Sequence, residues 1–467
     1  MMLDKTLRQR NSIVTTADNH YNGILNLCIR FGKTRVGLLI AQEYMNKFKA
    51  RVIVLVPSLA IKETWLAEKD KCGITEDIII ITIGSLVGLN NTINVNLLIV
   101  DECHRFTSDI WYQFINGNRI KYDNIVMLSG SLPSGDKLNM LTKIAPIIDT
   151  ITEQEAMENQ WVSEYIEFNI PLEFSESDKN KYSDLTKVIS LTMNKYRNLY
   201  KYIQFENEII FRDDLDLILA CNDGKNSKAF GHISSESIRN AISSKMNNAD
   251  YWTPDEILTD SIYFKQAMDR RNVLMASNKM KLDAVLYIVS LLDTSILCFS
   301  EFTNFADTIA ISINKAGLKK AVSYHNKVKS APLIDPTTNT YFTYSTGLKA
   351  NEPKLFSAKK QLEYYIAAFN ARKLDLISAV KSLDEGVTIE TLDAIIITSG
   401  SQNVIQYKQR TGRGKTYKQD KVTRIYNLYF EDFYIGDELV KSRDKAKLYS
   451  RQFNSENIKN ISILDVF

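Results

Sequence analysis

Two short stretches of this sequence hold residue types that could bind and hydrolyse a nucleoside triphosphate. The first, Gly32-Lys33-Thr34, stands where a loop turns into a helix, because apolar residues recur at helical spacing in the RVGLLIAQEYMNKF that follows. The second, Asp101-Glu102-Cys103-His104, ends the apolar run 96–100. In a phosphate loop the lysine reaches the β- and γ-phosphates and the next hydroxyl binds Mg²⁺. An Asp at a strand end can hold the metal, and the Glu beside it can orient or deprotonate the attacking water.

Together these two stretches predict an ATP site that uses Mg²⁺. Thr34 and Asp101 are the predicted metal ligands, and Lys33 and Glu102 are predicted catalytic residues. Leu27 stands where the GxxxxGK[ST] pattern has its first glycine, so this loop departs from the pattern at one position.

A second Gly-Lys-Thr triplet, at 414–416, lies in a different local setting. It runs into TYKQDKVTRIYNL, whose alternating pattern predicts a strand rather than a helix. A strand presents no helix N-terminus to a phosphate group. We therefore assign no nucleotide-binding role to this triplet.

Size and composition indicate an intracellular, soluble, multidomain protein. The 467 residues are enough for about three domains. The net charge of +3 permits nucleic-acid binding without demanding it. Five scattered cysteines argue against a disulfide framework or zinc site and for a reducing compartment. The start of the chain has no apolar signal segment, and no long uncharged apolar run occurs, so we expect no membrane span and a cytoplasmic location.

Residues 1–150 alternate short apolar runs with amphipathic segments. Runs this short and this continuously apolar are typical of strands buried on both faces, as in a parallel sheet covered by helices. With the phosphate loop opening the first helix, the region has the pattern of a RecA-like α/β domain. The predicted strands are 51–57, 78–83, 96–100 and 124–128.

The pattern changes over residues 151–275, which we predict to contain an edge strand, a linker and a mainly helical insertion. The strand is 165–174, placed at a sheet edge because Pro171 would interrupt a central ladder. A helix follows, with Ser175 or Ser177 as its cap. The polar section 200–275 is the helical insertion, and it is either a structural accessory or a DNA contact.

The α/β alternation returns over residues 276–435 and predicts a second domain of the same architecture. The predicted fold class is therefore α/β, with two tandem RecA-like domains built on parallel sheets plus a mainly helical insertion. A Pro- and Thr-rich stretch at 331–353 is a predicted loop, and the tail 436–467 is predicted to hold a helix and a docking strand. The strands predicted in the second domain are 295–299, 321–324, 374–379, 394–398 and 422–428.

The ordered motifs resemble those of superfamily 2 helicases and translocases. Gly32-Lys33-Thr34 corresponds to the Walker A loop, with Arg30 where GxGKT has its first glycine, and Asp101–His104 is similar to a DExH motif. Leu383–Val387 resembles motif V, and Gln409-Arg410-Thr411-Gly412-Arg413 matches QRxGR. The resemblance covers both α/β halves and leaves the insertion and the tail outside.

This resemblance implies roles for residues in both halves. Arg410 and Arg413, three apart on a predicted helix face, would reach into the cleft and stabilise charge on the γ-phosphoryl group as catalytic residues. The implied coupling residues are His104, Ser129 and Ser131. The implied DNA-backbone contacts are Pro57, Ser58, Gly84 and Ser85. The implied nucleotide-binding residues are Gln9, Arg30, Phe31, Gly32, Lys33, Thr34, Asp384, Gly386 and Gln409.

Other conspicuous side chains have two interpretations each. Trp65 and Phe299 could touch nucleic acid, but core packing is favoured for both. The basic residues of the second half could contact phosphates or form a solvated face, and the sequence leaves both open. These basic residues are Lys408, Lys415, Lys418, Lys421 and Arg424.

The resemblance implies ATP-driven motion along nucleic acid, with sequence-independent contacts to the backbone. Within the superfamily, the compact size and the KSLDEGV form of motif V are similar to phage and viral DNA helicases that remodel branched or forked DNA. This favours DNA over RNA as partner, a monomer, and a host cytoplasm for a viral protein. An RNA helicase, an inactive nucleic-acid-binding scaffold and a restriction-type translocase subunit are the alternatives.

Overall fold

In the computed structural model the chain forms two compact units. The first comprises Met1–Ile170, Val285–Leu428 and Leu448–Phe467, and the second comprises Pro171–Ala284 and Tyr429–Lys447. The structure describes residues 3–86, 92–205, 208–209, 211–222, 233–245, 252–338, 340–346, 349–380, 383, 389, 392–400, 404–418, 421–447 and 457–466.

A six-stranded parallel sheet forms the N-terminal half of the first unit. The strand order is β3-β2-β4-β5-β1-β6, and every neighbouring pair is parallel. The four runs predicted as strands all lie in this sheet, which confirms the predicted α/β fold. The strands are β1 (Gly23–Leu27), β2 (Val52–Val56), β3 (Ile79–Thr82), β4 (Ile93–Val100), β5 (Ile120–Ser129) and β6 (Ile147–Ile151).

Both faces of this sheet are buried. In β2, Val52, Val54 and Val56 belong to one apolar cluster, whereas Ile53 and Leu55 belong to another. Successive side chains of a strand point to opposite faces, so a strand covered on both sides reads as a continuous apolar run. The helices of this half are α1 (Lys5–Asp18), α2 (Lys33–Phe48), α3 (Leu59–Lys71), α4 (Ile83–Leu86), α5 (Asp109–Tyr112), α6 (Asp136–Thr142) and α7 (Glu153–Glu158), with a 3₁₀ helix at Cys103–Thr107.

A seven-stranded sheet forms the other half of the first unit. Its order is β11-β16-β10-β17-β18-β7-β21, and short two-stranded sheets pair β8 with β9, β12 with β15, β13 with β14, and β19 with β20. The strands are β7 (Glu164–Leu172), β8 (Gln204–Phe205), β9 (Glu208–Ile209), β10 (Ile296–Phe299), β11 (Ala321–Tyr324), β12 (Ala331–Pro332), β13 (Ile334–Asp335), β14 (Thr340–Tyr341), β15 (Leu355–Phe356), β16 (Leu376–Ala379), β17 (Ala394–Ile397), β18 (Val422–Phe430), β19 (Phe433–Ile435), β20 (Glu438–Val440) and β21 (Ile458–Asn460).

Strand β7 is not at the edge of its sheet, contrary to the sequence-based expectation. It lies between β18 and β21, and β21 pairs with Glu167, Phe168 and Asn169. Pro171 lies beyond this paired stretch, so its missing N–H interrupts no bond to β21. A strand from the predicted tail region covers the side that the sequence left open.

The second unit is mainly helical. Helix α8 begins after Ser175, whose side chain accepts a hydrogen bond from the Asp178 N–H, which confirms the predicted cap. No helix in the described ranges is long and apolar enough to cross a membrane. The remaining helices of the described residues are α8 (Glu176–Lys195), α9 (Asp214–Ala220), α10 (Ser235–Lys245), α11 (Pro254–Ala276), α12 (Lys279–Leu291), α13 (Thr303–Lys315), α14 (Ala358–Asn370) and α15 (Val404–Thr411), with 3₁₀ helices at Leu199–Lys201 and Ile463–Asp465.

Residues far apart in sequence build the core of the second unit. The Phe174 and Phe430 rings stack with their centroids 3.8 Å apart, and the buried Lys281 Nζ lies 2.6 Å from Asp444 Oδ2. The segment 429–447 therefore packs with residues of the range 171–284. The sequence-based divisions at 151–275, 276–435 and 436–467 stay predictions.

Candidate active site

The predicted site residues of the N-terminal half lie at the carboxyl ends of five neighbouring parallel strands, along one edge of the first sheet. In parallel α/β sheets this edge is where ligands bind. The phosphate loop follows β1, and the DExH motif follows β4. The other predicted residues at this edge are Pro57 and Ser58 after β2, Gly84 and Ser85 after β3, and Ser129 and Ser131 at the end of β5.

The phosphate loop has a backbone suited to an anion. Arg30 and Gly32 both adopt left-handed conformations, with φ of 72° and 105°. Gly32 caps α2, and a Cβ added there would lie 2.6 Å from Gln9 Nε2. The first N–H groups of a helix have no partner within the helix and carry its positive dipole end. Lys33 and Thr34, the first residues of α2, therefore stand at an anion-binding helix N-terminus.

Residues of α1 hold this loop from one side. The buried Gln9 amide donates from Nε2 to the Phe31 carbonyl at 2.8 Å, and Lys5 Nζ donates to the Arg30 carbonyl at 3.1 Å. The buried Phe31 ring packs against Trp161 at 5.3 Å between centroids. Gln9 thus contacts the loop itself, and its nucleotide-binding role stays a prediction.

A chain of polar contacts connects the phosphate loop with the DExH motif and the end of β5. Lys33 Nζ donates to Glu102 Oε1 at 2.5 Å, and Glu102 Oε2 lies 3.4 Å from His104 Nδ1. His104 Nδ1 lies 2.9 Å from Ser129 Oγ, which donates to the Ser131 carbonyl at 2.6 Å. A change at Glu102 can therefore reach Ser131 through two side chains.

Burial and charge set different protonation states in this cluster. Burial opposes ionisation of Glu102, but the nearby Lys33 outweighs it and lowers the Glu102 pKa. Burial raises the pKa of Asp101 to about 6, against the opposing attraction of Lys33. Burial lowers the pKa of His104 to about 4, so its imidazole is neutral at pH 7. The Glu102 side chain is the carboxylate best placed to stay charged.

Asp101 is held by a residue that the sequence assigned to the core. Trp65 on α3 is fully buried, as expected, and its Nε1 donates to Asp101 Oδ2 at 2.7 Å. The other carboxylate oxygen, Oδ1, accepts the Glu102 N–H at 2.9 Å. The helical spacing of Ile61 and Trp65 marks both as buried, but nothing local in the sequence indicates this bond.

The residues present fit a magnesium-bound triphosphate. An ammonium, a hydroxyl and two carboxylates are the groups that phosphates and Mg²⁺ require. Arg30 supplies further evidence, because its buried Nη2 has no hydrogen-bond partner within the described residues and burial lowers the Arg30 pKa. An anion in the loop would satisfy this guanidinium.

The residues predicted to contact the nucleic-acid backbone make local bonds at strand ends. Ser58 caps α3 by accepting the Ile61 N–H at 3.4 Å, and Pro57 precedes it. Ser85 lies on the short helix α4 with Gly84, and its Oγ is 2.7 Å from Thr82 Oγ1. These residues follow adjacent strands of the sheet, and their nucleic-acid contacts stay predictions.

The arginine motif differs from the sequence-based expectation. Arg410 is buried on α15, where its Nη1 donates to the Ser399 carbonyl at 2.9 Å and its guanidinium lies 5.1 Å from the Phe299 ring centroid. Gln409 precedes it on the same helix. The helix ends at Thr411, so the buried Arg413 lies in the following turn and does not share a helix face with Arg410. Asp384 and Gly386 lie outside the described residues.

Ile29 of the phosphate loop lies between segments from both halves. A Cβ added to Gly412 would lie 2.6 Å from Ile29 Cγ2, and one added to Gly130 would lie 2.8 Å from Ile29 Cγ1 and 3.3 Å from Lys33 Nζ. Glycines at 130 and 412 therefore permit a close approach that a side chain would block. The contact places the QRxGR segment against the phosphate loop.

Lys415 is buried rather than part of a solvated basic face. Its Nζ lies 2.8 Å from Glu153 Oε2 and 3.9 Å from the Tyr165 ring centroid. Nearby, Tyr407 donates a short hydrogen bond to Glu167. No local sequence pattern indicates these pairs, whose members come from different halves of the chain.

Comparison with known proteins agrees with this description. Residues 280–415 match the sequence model of the helicase conserved C-terminal domain. The helicase domain of Hef from Pyrococcus furiosus has a similar structure, at 15% identity over 97% of this chain and 100% of that chain, with a TM-score of 0.50. Comparison with curated protein sequences gives no significant match.

Two further solved structures share the fold. Dbp5 from S. cerevisiae, bound to RNA and ADP BeF3, matches at 11% identity over 98% of this chain and 90% of that chain, with a TM-score of 0.50. The ATP-dependent type ISP restriction-modification enzyme LlaBIII, bound to DNA, matches at 11% identity over 97% of this chain and 31% of that chain, with a TM-score of 0.52.

The fold is that of tandem RecA-like helicase domains. Residues 280–415 match the helicase conserved C-terminal domain, and the solved structures, at 11–15% identity, show the similarity of the fold.

Proposed function

We propose that this chain is an ATP-dependent DNA helicase or translocase that remodels branched or forked DNA. The observation that carries the proposal is the contact chain from Lys33 through Glu102 and His104 to Ser129. It joins a phosphate-binding helix N-terminus to a water-activating carboxylate and to the segment expected to couple hydrolysis to movement. An inactive scaffold would not require these side chains to contact one another.

Each residue of the cluster then has a defined task. Lys33 neutralises the β- and γ-phosphates, while Thr34 and Asp101 hold Mg²⁺, which stabilises the developing negative charge when bound. Glu102 orients the attacking water and accepts its proton. Lys33 Nζ donates one hydrogen bond to Glu102 in this structure, and the ammonium has further N–H donors for the phosphate oxygens.

The second half completes the site through the QRxGR segment. Gly412 already lies against Ile29 of the phosphate loop, and Arg413 follows it directly. We assign Arg413 the role of stabilising the γ-phosphoryl charge. Arg410, bonded to Ser399 and stacked on Phe299, supports the position of α15. Gln409, Asp384 and Gly386 keep their proposed nucleotide-binding roles from the motif resemblance.

The choice of DNA, of branched substrates and of a role in replication or recombination rests on the sequence resemblance to phage and viral helicases. The same resemblance supports a DExH subtype, a monomer, and action in the cytoplasm, or in a host cytoplasm for a viral protein. Pro57, Ser58, Gly84 and Ser85 would contact phosphates, so binding would weaken as salt rises.

Steady-state ATP hydrolysis with different polynucleotides tests this proposal. We expect strong stimulation by DNA, greatest with a forked duplex, and loss of activity in Lys33→Ala. Single-stranded DNA, plain duplex and single-stranded RNA are the comparison substrates. Stimulation by RNA alone would replace the DNA proposal with an RNA helicase, and no hydrolysis with any substrate would leave an inactive scaffold.

A further inference from the structure

Trp65 is a buried side chain with an unusual hydrogen-bond partner. Its indole is 0% exposed, and Nε1 donates to Asp101 Oδ2 at 2.7 Å. A buried indole N–H needs an acceptor, and most side-chain hydrogen bonds go to backbone groups or water. Here the acceptor is the carboxylate at the end of β4, 36 residues away in sequence.

Two donors fix the orientation of this carboxylate. Trp65 occupies Oδ2, while the Glu102 N–H occupies Oδ1 at 2.9 Å. A carboxylate has about four lone-pair sites, so each oxygen keeps acceptor capacity for a metal ion or for its bound water. Hydrogen bonds of this kind, made to a metal ligand by residues that do not touch the metal, orient the ligand and tune its affinity.

The indole itself is wedged in place. A Cβ added to Gly37 would lie 2.5 Å from Trp65 Cη2 and 2.8 Å from Leu128 Cδ1. Gly37 is one turn along α2 from Lys33, so the ring packs between the phosphate-binding helix and the carboxylate. A ring in such close packing holds one rotamer, which keeps its N–H aimed at Asp101.

Helix α3, which carries Trp65, is capped by a residue predicted to contact nucleic acid. Ser58 caps the helix. Trp65 comes seven residues after Ser58, which places it about 10 Å from Ser58 along the helix axis. A shift of α3 would therefore move both the cap and the indole. This gives the strand-end segment a direct mechanical link to Asp101.

We propose that Trp65 is a positioning residue that orients Asp101 for Mg²⁺ and links helix α3 to the metal site. The inference rests on the proposed function, since it presumes a magnesium–nucleotide site at Asp101. It predicts that loss of the indole N–H weakens metal binding without weakening the hold on the nucleotide itself.

The test uses Trp65→Phe in the full chain. Calorimetry measures binding of the non-hydrolysable analogue AMP-PNP at a series of Mg²⁺ concentrations. We expect the half-saturating Mg²⁺ concentration to rise about tenfold, in line with substitutions of residues that support metal ligands. Binding of AMP-PNP in EDTA, where no Mg²⁺ is free, should be unchanged. ATP hydrolysis should recover at high Mg²⁺, because the metal ligand itself is intact.

Two matched variants separate the lost N–H from lost packing. Gly37→Ala with Trp65→Phe adds a methyl group where the indole ring ended and needs only a small shift of the Leu128 side-chain end, 2.8 Å away, so it restores bulk without restoring the donor. Trp252→Phe makes the same substitution in the second compact unit and controls for the general cost of the change. Thermal unfolding of each variant reports its folding independently of Mg²⁺.

The outcomes are distinguishable. A raised Mg²⁺ requirement in Trp65→Phe that persists in the double variant supports the inference. An unchanged requirement in Trp65→Phe, or one that the added methyl group restores, overturns the inference and leaves the proposed function standing. If the unmodified protein binds no magnesium–nucleotide, the proposed function and the inference fall together.

Discussion

The chain contains the triplet Gly-Lys-Thr twice, and the two copies have different structures. Gly32-Lys33-Thr34 opens the 16-residue helix α2, with Gly32 in a left-handed conformation. Gly414-Lys415-Thr416 follows the end of α15 and precedes β18. Identical residues thus begin a helix in one place and follow a helix in the other.

The difference lies in the backbone donors. At the second triplet the Gly414 N–H bonds the Thr411 carbonyl at 3.1 Å and the Lys415 N–H bonds the Gly412 carbonyl at 3.2 Å. Turn bonds therefore occupy these donors. At the first triplet the N–H groups belong to a helix N-terminus, which leaves them for a ligand. A phosphate cradle depends on such donors more than on the lysine.

The lysine side chains, by contrast, are alike. Lys33 pairs with Glu102 at 2.5 Å and Lys415 pairs with Glu153 at 2.8 Å, and their side chains are 13% and 3% exposed. In both cases burial acts to lower the lysine pKa, and the paired carboxylate outweighs it and raises the pKa. A buried Lys–Glu pair alone therefore does not identify a catalytic lysine.

The largest expected effect separates the two lysines by activity. Lys33→Met should lower the ATP hydrolysis rate about 10³-fold, because it removes a cation from the developing phosphoryl charge. Lys415→Met should keep hydrolysis within about tenfold of the unmodified rate, since its partner lies outside the phosphate loop. Single-turnover hydrolysis measures both. Equal losses in two folded variants would contradict the distinction.

The two substitutions should rank in the reverse order by their effect on stability, with Lys415→Met the more destabilising. Lys415→Met leaves the partly buried Glu153 carboxylate without its cation, and we expect a loss of about 2 kcal/mol in the free energy of unfolding. Lys33→Met should cost less, because Glu102 keeps a polar neighbour in the neutral His104 imidazole, whose Nδ1 lies 3.4 Å away. Urea unfolding of both variants compares them directly. A larger loss for Lys33→Met would mean that the Lys33–Glu102 pair, and not the Lys415–Glu153 pair, contributes more to stability.

The pH dependence of stability should report the Glu153–Lys415 pair. Burial opposes ionisation of Glu153, but Lys415 outweighs it and lowers the Glu153 pKa below that of the unfolded chain. The carboxylate therefore stabilises the fold above the unfolded pKa of about 4.3, and this contribution falls as pH drops through the folded value.

Glu153→Gln isolates the contribution of the Glu153 carboxylate to the free energy of unfolding. The difference in unfolding free energy between the unmodified protein and the variant should be constant near neutral pH and shrink below about pH 4. Urea unfolding at several pH values measures it. A difference that stays constant down to the lowest pH at which the protein folds would mean that Glu153 and Lys415 do not form the pair in solution.

The smallest expected effect concerns the departure from the Walker A pattern at Arg30. Its left-handed backbone costs about 1–2 kcal/mol for a residue with a Cβ, which is more than the roughly 0.5–1 kcal/mol that glycine costs in unfolded-state entropy. Arg30→Gly should therefore change the free energy of unfolding by less than about 1 kcal/mol.

Arg30→Ala is the matched control, since it also removes the guanidinium but keeps the Cβ. Thermal unfolding should show Arg30→Ala as the less stable variant of the two. Equal stability would indicate that the loop changes conformation when Arg30 is replaced, and that glycine is not needed for a left-handed backbone here.

The sequence predicted the fold because its signals are local. The apolar runs became strands of two parallel sheets, and Lys33 begins a helix as its pattern required. The order of strands is not local, and there the expectations failed. Strand β7 has a neighbour on each side, with β21 closing the side predicted to be open. Arg413 lies beyond a helix that ends at Thr411, a boundary that spacing alone did not show.

By itself the sequence determined which residue types stand at strand ends and helix starts, since backbone preference and burial period act over a few residues. Only the tertiary structure decided which side chains meet. Trp65 finds Asp101 across 36 residues and Lys415 finds Glu153 across 262. Such pairs depend on strand order and on the packing of helices onto the sheets, and a buried polar group bonds whichever partner that packing brings within reach.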